Sequence, residues 1–247
     1  MAEHTKIEWA DSTWTPWWGC TEISDGCKEC YARDITHGAW GNHPRKRTKP
    51  HYWRQPVYWN ADAPRFQRVH GHRQRIFGGH LCDWFDNQVP PEWRADAWKL
   101  VRETPNLDWL ILTKRPENIA KMLPPDWSNG YPNVWLGISA ENEHHYRRRW
   151  PILAAVPAVL RFISYEPALG PLGSIDLGIG VLPDWIIIGG ESGTAPRMMD
   201  AAWARDVRDR CCKLGIPFFM KQMTGRAPIP PDLMVREFPI ISSTSRR

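Results

Sequence analysis

Apolar residues in this chain gather in short unbroken runs, each closed by glycine, proline or a charged or polar side chain. The clearest occupy residues 75–79, 108–113, 133–139, 160–164, 184–189 and 216–220, with a shorter one at 13–18. A strand with one wet face alternates apolar and polar residues. An unbroken run is instead buried on both faces, as in a parallel sheet covered by helices. Seven strands are therefore expected. Helical periodicity fills the gaps: 91–103 sets Trp93, Ala97, Leu100 and Val101 on one face, and 116–123 opens on Pro116, which suits a first helical turn. Residues 143–155 are charged early and apolar late, and 200–214 stops at Gly215, the residue favoured just past a helix end. Strand and helix recur every ~25–45 residues, the βαβ pattern. The expected fold class is α/β, a partial (β/α) TIM-like barrel with six or seven parallel strands, a doubly wound sheet being the other solution. Without a repeat, low-complexity tract or linker, residues 1–241 read as one domain and 242–247 as a disordered tail.

Composition adds two constraints. At 247 residues and 42% hydrophobic content the chain can bury a substantial core. No apolar stretch is long enough to span a bilayer, and the start, Met-Ala-Glu-His-Thr-Lys, lacks the apolar region of a signal peptide. A cytoplasmic protein with no membrane contact is expected. The net charge of +5 is unevenly spread: residues 43–75 hold nine Lys/Arg and one acid, Asp62, which leaves the rest of the chain at −3. Tyr52, Trp53, Tyr58, Trp59 and Phe66 interleave with those cations. Cations that attract phosphates beside rings that stack on bases suit a nucleic-acid partner; a solvated face over core aromatics is the plainer alternative. Arg45, Lys46, Arg47 and Lys49 are the candidate phosphate contacts.

The cysteines narrow the chemistry further. Cys20, Cys27 and Cys30 have the spacing C-x6-C-x2-C, and Gly19 and Gly26 each directly precede a cysteine. Glycine lets a loop fold tightly enough to aim several sulfurs at one centre. Three thiolates are one ligand short of a closed tetrahedral zinc site, but they suit a four-iron cluster with one iron left open. Two alternatives stand beside that reading. One is a zinc-stabilised nucleic-acid-binding protein whose fourth ligand is His37, His43 or Cys82. The other is a barrel hydrolase holding a metal on Asp83, Glu166 and Glu191. Cys211 and Cys212, adjacent on a helical stretch, point different ways and read as core, while Cys82, just past a strand end, either packs or approaches a substrate.

In barrels the reactive face lies at the C-terminal strand ends. Here those ends carry the Cys loop, then His80, Cys82 and Asp83, then Thr113, Lys114 and Arg115. Ser139, Glu141 and Asn142 follow, then Ser164, Tyr165 and Glu166, then Gly189, Gly190, Glu191 and Ser192, and finally Lys221 and Gln222. Almost every strand exits into polar or ionisable residues, which a purely structural barrel does not need. Lys114, Glu166 and Glu191 are the catalytic candidates.

The Cys loop, Leu112-Thr113-Lys114-Arg115-Pro116, Phe162-Ile163-Ser164-Tyr165-Glu166-Pro167, Gly189-Gly190-Glu191-Ser192-Gly193 and Pro217-Phe218-Phe219-Met220-Lys221-Gln222 together resemble the phage Gp37/Gp68 family, a domain of unknown function. The resemblance spans roughly residues 6–225. That family is in turn similar to radical S-adenosylmethionine (SAM) enzymes. The resemblance implies that Cys20, Cys27 and Cys30 hold a [4Fe–4S] cluster whose fourth iron is chelated by SAM. One electron from a flavodoxin- or ferredoxin-type donor then cleaves SAM to a 5′-deoxyadenosyl radical that abstracts hydrogen from substrate. It also implies SAM contacts at Tyr31, Gly78, Gly79, Ser139, Glu141, Gly189 and Gly190. The chain departs from the common pattern in three places: the first cysteine spacing is x6 rather than x3, Glu29 stands where an aromatic usually precedes the last cysteine, and Gly-Gly-Glu occurs late, at Gly189-Gly190-Glu191. The basic segment and the phage setting favour a nucleobase in nucleic acid, or a nucleotide, as the group modified or repaired.

Overall fold

The computed structural model describes residues 5–36 and 39–241. Two short strands, β1 (Ser12–Trp14) and β2 (Trp17–Trp18), are followed by α1 (Tyr31–Ile35), β3 (Lys46–Arg47) and the long helix α2 (Pro50–His70). Strands and helices then alternate: β4 (Arg75–Gly78), α3 (Pro91–Glu103), β5 (Asp108–Thr113), α4 (Ile119–Met122), β6 (Val134–Ser139), α5 (Glu143–Ala154) and β7 (Leu160–Tyr165). A stretch without a helix leads to β8 (Trp185–Gly189), and α6 (Ala201–Leu214) and β9 (Phe218–Gln222) close the order. Strands β1, β4, β5, β6, β7, β8 and β9 hydrogen-bond in that sequence, every pair parallel, into a curled half-barrel. The expected partial TIM-like barrel with seven parallel strands is the fold observed. No helix among the described residues is long and apolar enough to cross a membrane.

The unbroken runs do bury both faces. Trp109, Ile111, Val134, Leu136, Ile138, Ile163, Ile186 and Ile188 pack in the larger cluster with the helices. Their neighbours Leu110, Trp135, Phe162, Trp185 and Ile187 alternate onto the other face and meet Phe77 and Phe219 there. Trp9 joins that second cluster, with ring centroids 4.5 Å from Phe77 on β4 and 6.2 Å from Phe162 on β7. Those strands lie three places apart, roughly 14 Å in a flat sheet. One ring touching both shows how far the sheet curls, and Trp9 plugs the interior it creates.

Three expectations are corrected, and one segment without an expected element is filled. The run at 13–18 is not one strand: Pro16 interrupts it, and Trp17–Trp18 leave the sheet to pair antiparallel with Lys46–Arg47. Residues 116–123 form a 3-10 turn before the short α4 rather than one helix. The last strand runs later than 216–220, so Lys221 and Gln222 belong to it. The basic segment is mostly helix α2, which the sequence hides behind Pro56 and Pro64, each removing a backbone donor. Burial of Pro56, Trp59 and Ala63 along one face compensates, and Gly71 ends the helix in a left-handed conformation. The tail at 242–247 lies outside the described residues.

Removing the plug should be costly. Trp9→Ala is expected to destabilise the protein by about 3–5 kcal/mol, as for other large-to-small core changes. Trp18→Ala, at a half-exposed ring, should stay within about 0.5–1 kcal/mol. Urea unfolding of the two variants side by side checks the ranking.

Candidate active site

The C-terminal strand ends open into a cavity of about 460 Å³ lined by residues from β4 through β9 and by Trp9. Cys20, Cys27, Cys30 and Cys82 all face it, and all four are free thiols. Gly19 starts the loop in a left-handed conformation, with φ +109°. A side chain there would meet the Ala39 carbonyl oxygen, 1.9 Å from where its Cβ would stand. Cys27 closes a 3-10 turn at Asp25–Cys27, and Cys30 precedes the first turn of α1.

Three strand ends grip this loop. From the end of β5, Arg115 donates through Nη1 to Cys20 Sγ at 3.4 Å and through Nη2 to the Thr21 carbonyl at 2.8 Å. Beyond β6, the fully buried Glu141 accepts Ser24 Oγ at 2.6 Å and Arg149 Nη1 at 2.7 Å. Gly26 lies directly on that carboxylate, since a Cβ there would fall 2.5 Å from Glu141 Cγ. Past β8, Arg197 pairs with Glu191 and donates to the Asp25 carbonyl at 2.8 Å. The turn after the loop is held by Arg45, which donates to Asp86 Oδ2 at 2.7 Å, to the carbonyls of Gly41 and His43, and to Thr21 Oγ1 at 2.5 Å.

Burial pushes the Cys20 thiol up to about 12, against the pull of Arg115, and pushes Cys30 up against the pull of Lys114. A bound metal centre offsets such a cost with its own positive charge. Lys114 Nζ lies 3.7 Å from Glu141 Oε1. Burial lowers its pKa, but Glu141, Cys27 and Cys30 outweigh burial and the ammonium persists. His80 is lowered to about 4 by burial and is a neutral imidazole at neutral pH, with Nδ1 2.7 Å from Thr15 Oγ1. Lys221 on β9 pairs with Glu166 at the end of β7. Among the described residues no three Cys, His, Asp or Glu side chains converge closely enough to hold one metal ion.

The cavity brings together most of the anticipated residues. Lys114, Glu166, Glu191, Tyr31, Gly79, Ser139 and Gly190 line it, and Tyr31 donates its hydroxyl to the His80 carbonyl at 2.8 Å. Gly78 and Gly189 stand one residue short of the wall. Glu141 sits beneath the loop instead of on the wall, because its charge is taken up by Arg149, Ser24 and Lys114. Arg45 departs from the expected solvent-facing patch, being buried, while Lys46, Arg47 and Lys49 are exposed. Arg47 also pairs with Asp96 at 2.7 Å and lies 4.4 Å above the Trp53 ring. His43 is exposed and off the cavity, His37 lies outside the described residues, and Cys211 and Cys212 sit away on α6, one buried and one exposed. The loop grips of Arg149, Arg197 and Ser24 escaped sequence reasoning. Arg149 is the last of three consecutive arginines on α5, and only its burial separates it from the other two.

A family model described as protein of unknown function (DUF5131) matches residues 4–232. The chain belongs to this family. No curated protein and no solved structure matches it. The DUF5131 match takes in every strand of the barrel, the cysteine loop and all three grips on it.

Glu141 supplies a pH signature. Burial raises its pKa, but the Lys114 and Arg149 charges outweigh burial and hold it below the usual carboxylate range. A carboxyl whose folded pKa is lowered contributes stability above its unfolded value of about 4.3, and that contribution is lost as pH falls through the folded value. Glu141→Gln leaves Arg149 buried without its charge partner and should cost about 3–5 kcal/mol at neutral pH. The cost should shrink in acid, where Glu141 is itself protonated. Urea unfolding across pH checks this, and a cost that does not change with pH would leave Glu141 a packing role alone.

Proposed function

We propose that this chain is a radical SAM-type iron–sulfur enzyme, akin to the phage Gp37/Gp68 proteins, acting on a nucleobase in nucleic acid or on a nucleotide. One observation carries the reading: three free thiols in a loop gripped from three strand ends share a cavity at the reactive mouth of a parallel half-barrel. The donor set fits a four-iron cluster, because three soft thiols lining one cavity suit iron better than a hard cation, which prefers oxygen ligands. When bound, such a cluster supplies the single electron that cleaves SAM and starts radical chemistry on the substrate.

The protein's own residues bind, orient and exclude water. Cys20, Cys27 and Cys30 would ligate the cluster. Ser139 and Ser164 offer hydroxyls, and Gly79 and Gly190 offer bare backbone where a cosubstrate must approach closely. The Tyr31 ring stands at the rim for stacking on an adenine. Lys221 and Glu166 form an ion pair between two strand ends, placed to meet a polar group of the substrate. The carboxylates do not favour a hydrolase reading, since Asp83, Glu166 and Glu191 each already face Arg115, Lys221 and Arg197. For the nucleic-acid partner, the support is the exposed Lys46 of β3, whose cross-strand partner Trp18 stands two residues before Cys20.

Anaerobic reconstitution followed by iron, sulfide and SAM-cleavage assays tests the chemistry. Cys20→Ala, Cys27→Ala and Cys30→Ala should each lose most of the iron, whereas Cys211→Ala keeps it. Full iron in any loop variant removes that ligand. Zinc without sulfide in the unmutated protein would replace the reading with a thiolate-held zinc, Cys82 being the fourth sulfur at hand.

The partner has a separate test. Lys46→Ala with Lys49→Ala should weaken binding to nucleic acid and flatten its salt dependence by about two phosphate contacts, since each contact released contributes roughly 0.7–0.9 to the slope. Binding titrations at several salt concentrations read this out. An unmutated protein that binds neither single- nor double-stranded nucleic acid at low salt points to a small-molecule or peptide substrate.

A further inference from the structure

We propose that Arg115, backed by Asp83, sets the reduction potential of the cluster through Cys20. The inference rests on the iron–sulfur reading and concerns the poise of that same site. Arg115 is almost completely buried, and its guanidinium is tied on three sides. Nη1 donates to Cys20 Sγ at 3.4 Å and to Asp83 Oδ2 at 3.1 Å, and Nη2 donates to the Thr21 carbonyl at 2.8 Å. Asp83 is itself fixed, accepting Thr113 Oγ1 at 2.7 Å and the Phe85 amide at 2.9 Å on one oxygen and the Lys114 amide at 3.1 Å on the other. Cys20 is singled out by this arrangement. Among the described residues it is the one loop sulfur that accepts a side-chain hydrogen bond from a cation; Cys27 meets the neutral Ser24 hydroxyl at 3.7 Å, and the Lys114 ammonium bears on Cys27 and Cys30 through space rather than through such a bond.

The consequence follows from charge. Reduction adds one electron to the cluster and makes it more negative, with no bond made or broken. A fixed positive charge and an N–H donor at one ligand sulfur stabilise the reduced form more than the oxidised form, and burial keeps water from screening the effect. Arg115 therefore raises the potential. The Asp83 carboxylate, which shares Nη1 of the same guanidinium with Cys20 Sγ, pulls the other way. Their spacing makes the pair an adjustable bias on one ligand, and Arg115 is a positioning residue because it acts through Cys20.

The test is a redox titration of the reconstituted full chain with dithionite, the electron source, followed by electron paramagnetic resonance, with iron and sulfide counted for each protein. Arg115→Gln should lower the midpoint potential, and Arg115→Lys should fall between it and the unmutated protein. Asp83→Asn, which leaves the guanidinium uncompensated, should raise it. Opposite signs for the arginine and aspartate variants are what a role limited to holding the loop would not produce. Should Arg115→Gln fail to retain cluster, Arg115→Lys and Asp83→Asn decide the matter. Variants that hold full cluster at the unmutated potential, or that shift in the same direction, overturn the proposal while leaving the cluster in place. An unmutated protein that takes up no iron and sulfide overturns the underlying reading, and this proposal with it.

Discussion

One carboxylate with no contact to water organises the mouth of this barrel. Burying an ion costs several kcal/mol even after relaxation, so Glu141 stays ionised only because its partners replace the solvent it has lost. Arg149 covers one oxygen and Ser24 the other, and Lys114 approaches from the next strand. The geometry has a local origin. Glu141 directly precedes Asn142, whose side chain caps α5 by accepting the His145 amide at 3.2 Å, and Arg149 returns to the same helix face two turns after that cap. Arg149 also donates to the Ser139 carbonyl at 2.8 Å, so strand end, helix and cysteine loop are joined through one guanidinium–carboxylate pair. A hydrophobic replacement of that pair could be as stable, but nothing apolar would reach out to Ser24 and hold the loop.

The same logic divides the mouth into two kinds of wall. Each acid at a strand end has a cationic partner: Asp83 with Arg115, Glu166 with Lys221, Glu191 with Arg197. Pairing cancels most of the charge that would otherwise draw water or a hard cation into the cavity. The cysteines, His80, Ser139, Ser164 and Gln222 face the same space, together with Lys6, Glu29 and Arg226. Among these groups a contact buried from water, such as Arg115 with Cys20, acts more strongly than one at the open mouth.

The sequence was legible where the signal was local. Strands β4 to β9 could be read because a parallel sheet buries both faces, which leaves unbroken apolar runs such as Trp185–Gly189. That the three loop cysteines share one cavity could be read from their spacing, three sulfurs within eleven residues with a glycine before two of them. Helix α2 could not, since Pro56 and Pro64 imitate breaks and only packing of Trp59 and Ala63 shows why the helix survives them. Glu141 was visible as a strand-end acid, but its direction was not: whether such a side chain faces the cavity or the loop depends on Ser24, 117 positions earlier. Arg45 misled for a related reason. Counting charge cannot separate a cation that faces water from one folded onto Asp86 and three backbone carbonyls.

What the buried charges fix also sets the relation between the thiols and the outer surface. β2 and β3 pair Trp18 with Lys46 and Trp17 with Arg47, and Thr48 ties β3 back by donating to the Pro16 carbonyl at 2.8 Å. Trp17 is buried in the main core, and Cys20 begins its loop three residues later. The exposed Lys46 and the start of the cysteine loop are therefore joined through one antiparallel strand pair. Under the proposed function, a polyanion at Lys46 would meet the cavity at a spacing set by this strand pair. Such a design favours a ruler over a switch, because a switch requires an element with two packed arrangements, and buried, mutually satisfied pairs such as Arg45 with Asp86 and Arg149 with Glu141 oppose a second one.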